Sequence, residues 1–124
     1  MISKRSLHLL IVAIAMVAVA GGITGLVAAK ERRVLLLEVD GIINPISEGY
    51  VARGVKWAEQ EHAELIIIRL DTPGGLLAST RKIVEHLLNT EVPSVVYVSP
   101  RGARAASAGT FITAAATFAI MAPG

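Results

Sequence analysis

The chain has 124 residues, no cysteine, a formal charge of +2, and 53% apolar but only 4% aromatic residues. That length admits one modest domain beside a greasy segment and excludes two full domains, while the missing cysteine excludes disulfides, thiolate zinc and a cysteine nucleophile. Its 12 Lys and Arg and 10 Asp and Glu are scattered without a basic face, which argues against a nucleic-acid binder.

Leu7 to Ala29 contains no Asp, Glu, Lys or Arg and follows Lys4 and Arg5, the pattern of a membrane-targeting segment. As a helix it would reach about 34 Å, enough for a hydrocarbon core of about 30 Å. Residues 1–29 therefore read as a retained anchor or as a cleaved signal peptide. The second option rests on the apolar stretch Leu7 to Ala20, the breaking pair Gly21-Gly22, and small residues at Val27 and Ala29 before Lys30. Either way the two leading cations predict a cytoplasmic N-terminus and export of the remainder. A buried core helix is the third option, disfavoured by its length.

Lys30-Glu31-Arg32-Arg33 is a charged junction, after which residues 30–124 read as one small domain. Val34 to Val39 predicts a strand buried on both faces, closed by Asp40-Gly41. Ser47 to Glu61 predicts an amphipathic helix capped by Ser47 and weakened by Gly49 and Gly54. Leu65 to Leu70 is the clearest strand, and the breakers Asp71-Thr72-Pro73-Gly74-Gly75 follow it at once. The next helix sets Leu76, Thr80, Ile83, Val84, Leu87 and Leu88 on its apolar side. Val92 to Val98 predicts a third strand, Ser99 to Ala106 a loop, Ser107 to Thr117 an Ala-rich helix, and Phe118 to Ala122 a fourth strand. The order β-α-β-α-β-α-β predicts an α/β fold with a mainly parallel sheet, right-handed crossovers, and chemistry at the loops leaving the carboxyl ends of strands.

Two of those loops are unusual. In Asp71 to Gly75 consecutive glycines leave backbone N–H groups uncovered. They suit an oxyanion hole better than a phosphate site, because neither a dinucleotide fingerprint nor a P-loop ending is present; a tight turn without a ligand is the plainer alternative. In Pro100 to Gly109, Ser107 stands at a helix start among small neighbours, with the amides of Ala108 and Gly109 beside it. That is a relaxed nucleophile elbow, since Ala105 replaces the first glycine of the strict pattern, and a simple serine helix cap is the alternative. Both loops leave one edge of one parallel sheet, so they are expected to converge.

LIIIRLDTPGG together with YVSPRGARAASAGTFITAAATFAIMAPG resembles the membrane-bound serine protease family of the ClpP class in its long NfeD form, over about Arg33 to Gly124. Signal peptide peptidase A and the ClpP/crotonase fold are more distant likenesses. The resemblance implies a ClpP/crotonase-like superhelix of β-β-α units after the N-terminal apolar helix, with short strands where loops are read above. It also implies that Ser107 is the nucleophile, that the oxyanion donors are the backbone of Gly74 or Gly75 with Ala108, and that the general base is a lysine. A serine hydroxyl needs such a base, and lysine serves only when partly neutral. Lys30, Lys56 and Lys82 do not occupy the family's base position and read as surface residues, so the lysine is expected beyond residue 124 and the chain as an N-terminal, inactive fragment.

Further implications are a membrane location with the protease domain on the extracytoplasmic side, a homo-oligomer, and hydrophobic peptide segments as substrates, including the C-terminal region of a stomatin-like partner. No cofactor is expected. A Ser-His-Asp set drawn from His62, His86, Asp40 and Asp71 is disfavoured because both histidines fall on outer helix positions, and they lack metal-ligand spacing. Arg101 and Arg104 either orient a peptide carboxylate or solvate the loop. A non-catalytic membrane scaffold of the same fold and a crotonase-type acyl-CoA enzyme are the competing functions; export argues against the latter.

Overall fold

The computed structural model describes residues 4–21 and 31–123, which belong to two compact units meeting in the chain between Glu31 and Arg32. The first unit holds α1 (Lys4–Gly21), whose 18 residues make about 27 Å of helix. Among the described residues no helix is long and apolar enough to cross a membrane. The remainder of the expected targeting segment, residues 22–29, lies outside the described residues.

In the second unit the elements follow in the expected order: β1 (Val34–Asp40), α2 (Pro45–Gln60), β2 (Leu65–Asp71), α3 (Leu77–Asn89), β3 (Ser94–Val98), α4 (Ala108–Ala115) and β4 (Phe118–Met121). The strands pair in the order β1-β2-β3-β4, every pair parallel. When neighbouring parallel strands follow one another in sequence, crossovers of a single hand return all the helices to the same face. The helices here do so: α2 packs on β1 and β2, α4 on β3 and β4, and α3 lies between the two helices.

That arrangement corrects the expectation for β1. Leu37 and Val39 turn into the core, but Val34 and Leu36 are 53% and 54% exposed, so the strand is buried on one face only. The continuous apolar run VLLLEV conceals this, because a one-sided strand ordinarily alternates with polar residues. The core lies between the sheet and the helices, where Ile66, Ile68, Leu70 and Val96 meet Val51, Ile83 and Ile112, each at 1% exposure or less.

Helix starts differ from expectation for local reasons. α2 is capped by Asn44, not Ser47: Asn44 Oδ1 accepts from Ile46 N (2.8 Å) and Ser47 N (3.1 Å), and Ser47 Oγ accepts from Asn44 N (2.9 Å). Ser47 is thus the third helical residue of a reciprocal capping box, and Pro45 fits the first turn because it has no N–H to satisfy. Gly54 is more than a weak point in α2, since a Cβ there would lie 2.7 Å from both methyls of the buried Leu37 side chain, which would have to move. β3 begins two residues later than expected, but the Pro93 carbonyl already accepts from Ile66 N at 2.9 Å.

Beyond the strand ends the backbone pairs again. Parallel bridges join Ile43 to Gly75 and Thr72 to Ala105, a short second layer in segments whose periodicity reads as loops and where the family resemblance implies short strands. This layer holds the glycine and serine loops.

Candidate active site

The loop after β2 is tied directly to the loop after β3. Arg104 N donates to Asp71 Oδ1 (2.8 Å), Thr72 N to Arg104 O (2.7 Å), and Ala106 N to Thr72 O (3.1 Å). Three bonds between Asp71-Thr72 and the pair Arg104 and Ala106 leave the serine loop little freedom in register. Their consequence is the expected convergence: a Cβ at Gly74 would fall 2.8 Å from Ser107 Cβ and 3.2 Å from its Oγ. Gly74 has φ +120, which disfavours an L side chain whatever the space. The glycine therefore answers two demands at once, a turn and a close approach.

Ser107 occupies the N-cap position of α4, but it caps nothing. A capping serine has extended backbone, from which its oxygen reaches back to the first helical N–H groups. Ser107 has φ 51 and ψ −109, its side chain makes no cap hydrogen bond, and it is exposed. A non-glycine residue in that conformation is strained by on the order of 1–3 kcal/mol and persists only where surrounding contacts fix it. The hydroxyl stands on a sharp strand-to-helix turn with no hydrogen-bond partner among the described residues, as a nucleophile elbow requires. The helix-cap alternative fails on this geometry.

The three candidate oxyanion donors separate. Ala108 is the first residue of α4, and its N–H has no acceptor among the described residues, whereas Gly109 N and Thr110 N bond to Ala106 O and Ser107 O. It adds to the positive end of the helix. Gly74 N–H donates to Thr72 Oγ1 at 3.1 Å, so it is engaged inside its own turn. Gly75 N–H has no acceptor among the described residues, and Gly75 is exposed. Residue order could not distinguish Gly74 from Gly75; the hydrogen bonding leaves Gly75 and Ala108 as the two open amides. Gly75 must lack a side chain for a different reason from Gly74, because a Cβ there would lie 2.1 Å from Ile43 O.

The described lysine candidates and His86 have neighbours on α2 and α3. Lys82 Nζ and His86 Nε2 both face Glu48, at 3.9 and 4.0 Å, so His86 has an acidic neighbour that the sequence does not place there. Lys56 lines a groove between α2 and α3 with Arg53, Glu59 and His86. His62 follows the end of α2 with φ 52, and Lys30 lies outside the described residues. Among the described residues no group of acidic, His or Cys side chains is arranged to hold a metal ion. Asp71 is occupied in holding the serine loop, a role that sequence reasoning misses because its partner is a backbone amide 33 residues away. Arg104 acts in that contact through its main chain.

Comparison with known proteins places this geometry among relatives. A family model described as NfeD1b, N-terminal domain, matches residues 33–124. Membrane-bound protease PH1510 of Pyrococcus horikoshii is 41% identical over 91 residues, 73% of this chain and 21% of that protein. Membrane protein NfeD1b of Bacillus subtilis is 31% identical over 96 residues, again 21% of its length, so the chain spans about a fifth of the curated relatives it matches. Among solved structures, the 1510-N membrane-bound stomatin-specific protease in a serine-to-alanine mutant has a TM-score of 0.73 at 38% identity, covering 76% of this chain and 45% of that one. A lysine-to-alanine mutant of 1510-N in complex with a substrate peptide gives 0.74 at 39%, covering 77% and 43%. A ClpP1 mutant of Listeria monocytogenes gives 0.59 at 20% identity over 72% of this chain and 55% of that one, a likeness of fold alone.

Proposed function

The chain belongs to the NfeD1b N-terminal domain family, and on that premise we propose that it supplies the nucleophile and oxyanion-binding half of a membrane-associated serine endopeptidase. The observation that carries the proposal is the strained, uncapped Ser107 (φ 51) set against Gly74, with the open amides of Gly75 and Ala108 on either side.

Ser107 Oγ attacks the scissile carbonyl carbon and passes its proton to a neutral lysine that the longer protein contributes beyond residue 124. The carbonyl oxygen becomes an oxyanion and accepts from Gly75 N–H and Ala108 N–H, donors already oriented before reaction. Collapse of the tetrahedral intermediate breaks the C–N bond, and the lysinium returns the proton to the leaving amine. Water then attacks the acyl-enzyme with the same lysine as base, releasing the acid and restoring Ser107. Each donor is worth about 10²–10³ in kcat when lost from such a hole.

Residues 1–29 serve as export leader or anchor, and residues 30–124 as the first part of the protease domain. Lys4 and Arg5 hold the N-terminus on the cytoplasmic side, so the site faces the extracytoplasmic space. We take the substrates to be hydrophobic peptide segments such as the C-terminal region of a stomatin-like partner, a reading supported by the stomatin-specific name of the 1510-N relative, and the assembly to be a homo-oligomer. Catalysis requires no metal or cofactor.

The test is cleavage of an apolar peptide by the purified full-length protein and its Ser107→Ala variant. The expected result is a fall of at least about 10³-fold, since removing the nucleophile leaves only binding and the oxyanion hole. Equal rates refute the proposal.

A further inference from the structure

Thr72 is fully buried at 0% exposure, and its hydroxyl bonds to both ends of Gly74. Thr72 Oγ1 accepts from Gly74 N (3.1 Å) and donates to Gly74 O (3.2 Å). The same carbonyl also accepts from Ile43 N at 2.9 Å. Two donors on one carbonyl fix the plane of the Gly74–Gly75 peptide. A trans peptide directs its N–H opposite to its C=O, so holding Gly74 O toward Ile43 turns Gly75 N–H the other way, away from the bridge and toward the open side of the loop.

A Gly-Gly peptide has little intrinsic preference between the two orientations of its plane, because neither residue carries a Cβ. Its orientation must therefore come from outside the dipeptide. We infer that Thr72 is a positioning residue whose hydroxyl locks the Gly74–Gly75 peptide with Gly75 N–H presented beside Ser107, keeping the oxyanion donor aligned between turnovers. The inference rests on the hydrolase reading above and adds the element that sets the orientation of its donor. The methyl of Thr72 has a separate role: its Cγ2 would lie 2.7 Å from a Cβ at Gly109, so it packs under the first turn of α4.

Because the two functions sit on different atoms, substitution can separate them. In the full-length protein, Thr72→Val keeps the shape and removes the hydroxyl, whereas Thr72→Ser keeps the hydroxyl and removes the methyl. The expected result for Thr72→Val is a kcat about 10–100-fold lower with KM within about threefold, since the donor acts on the transition state and not on the bound substrate. A peptidyl boronate, which forms a tetrahedral adduct on a serine, weakens by the same factor. Thr72→Ser recovers most of the rate even if its melting temperature falls. Should Thr72→Val fail to fold, Thr72→Ala replaces it in the comparison with Thr72→Ser.

A valine or alanine variant that folds, cleaves at the wild-type kcat and binds the boronate normally overturns the inference. So does a serine variant impaired as severely as valine, which would assign the effect to packing. Ser107→Ala in the same assay keeps the two levels apart. If it cleaves like wild type, the hydrolase reading itself fails; if it is dead while Thr72→Val is fully active, only the role of Thr72 falls.

Discussion

Replacing Gly74 by alanine tests the convergence of the two loops most directly. At φ +120 an alanine adopts a strained backbone, with a cost on the order of 1–3 kcal/mol. Its Cβ would also stand 2.8 Å from Ser107 Cβ, so the pair must separate by about 0.7 Å to reach the roughly 3.5 Å of ordinary carbon contact. Neither partner yields easily: Gly74 is bonded to Thr72 and Ile43, and Ser107 follows a loop fastened at Asp71 and Thr72. With strain and crowding together the loss of stability is about 2–4 kcal/mol, a clear fall in melting temperature. A displacement near 1 Å at a reacting atom costs about 100-fold in rate.

Thermal denaturation followed by circular dichroism and peptide cleavage measure these two effects in the full-length protein. Gly102→Ala is the control, because Gly102 also has positive φ (+87) but its Cβ would meet nothing within 4 Å. It should lose only the strain contribution and keep the cleavage rate. A Gly74→Ala protein that melts and cleaves like Gly102→Ala would refute the close approach of residues 74 and 107.

Asp71→Ala removes the carboxylate that accepts from Arg104 N at 2.8 Å and is expected to destabilise by about 1–3 kcal/mol. Slower cleavage should accompany it, and Asp71→Asn, which retains an acceptor, should lose less on both counts by denaturant titration and kinetics. At the opposite end of α2 from His62, Asn44→Ala deletes two bonds to helix N–H groups and should cost about 1–2 kcal/mol. Its cleavage rate below the melting transition should remain that of wild type, because Asn44 fastens a helix start and touches neither Ser107 nor the open amides.

Much of the site was legible because motif and position agree. The glycines of Asp71 to Gly75 follow β2 and the serine of the Ser-Ala-Gly triplet ends the loop that leaves β3, so the order of elements alone directs both loops to one edge. The start of α2 was missed: the expected cap was Ser47, whereas the structure caps the helix with Asn44 before Pro45, an Asn-Pro pair that carries a helix-start signal. The engaged amide of Gly74 was not legible. It depends on a hydroxyl two residues back folding over the turn, which a threonine in DTPGG does not announce.

Local chemistry determined the order of elements, the parallel sheet and the identity of the two loops, because apolar periodicity and chain breakers act within a few residues of where they are written. Tertiary structure decided the rest. Val34 and Leu36 are exposed because three crossovers return to the other face. Ser107 is strained because Asp71 and Thr72 hold the loop that leads to it. Gly75 keeps its amide open because Ile43, from a distant turn, holds the carbonyl on the far side of the same peptide. Each outcome depends on which backbone groups remain unsatisfied once segments far apart in the chain have met, a quantity that exists only after folding.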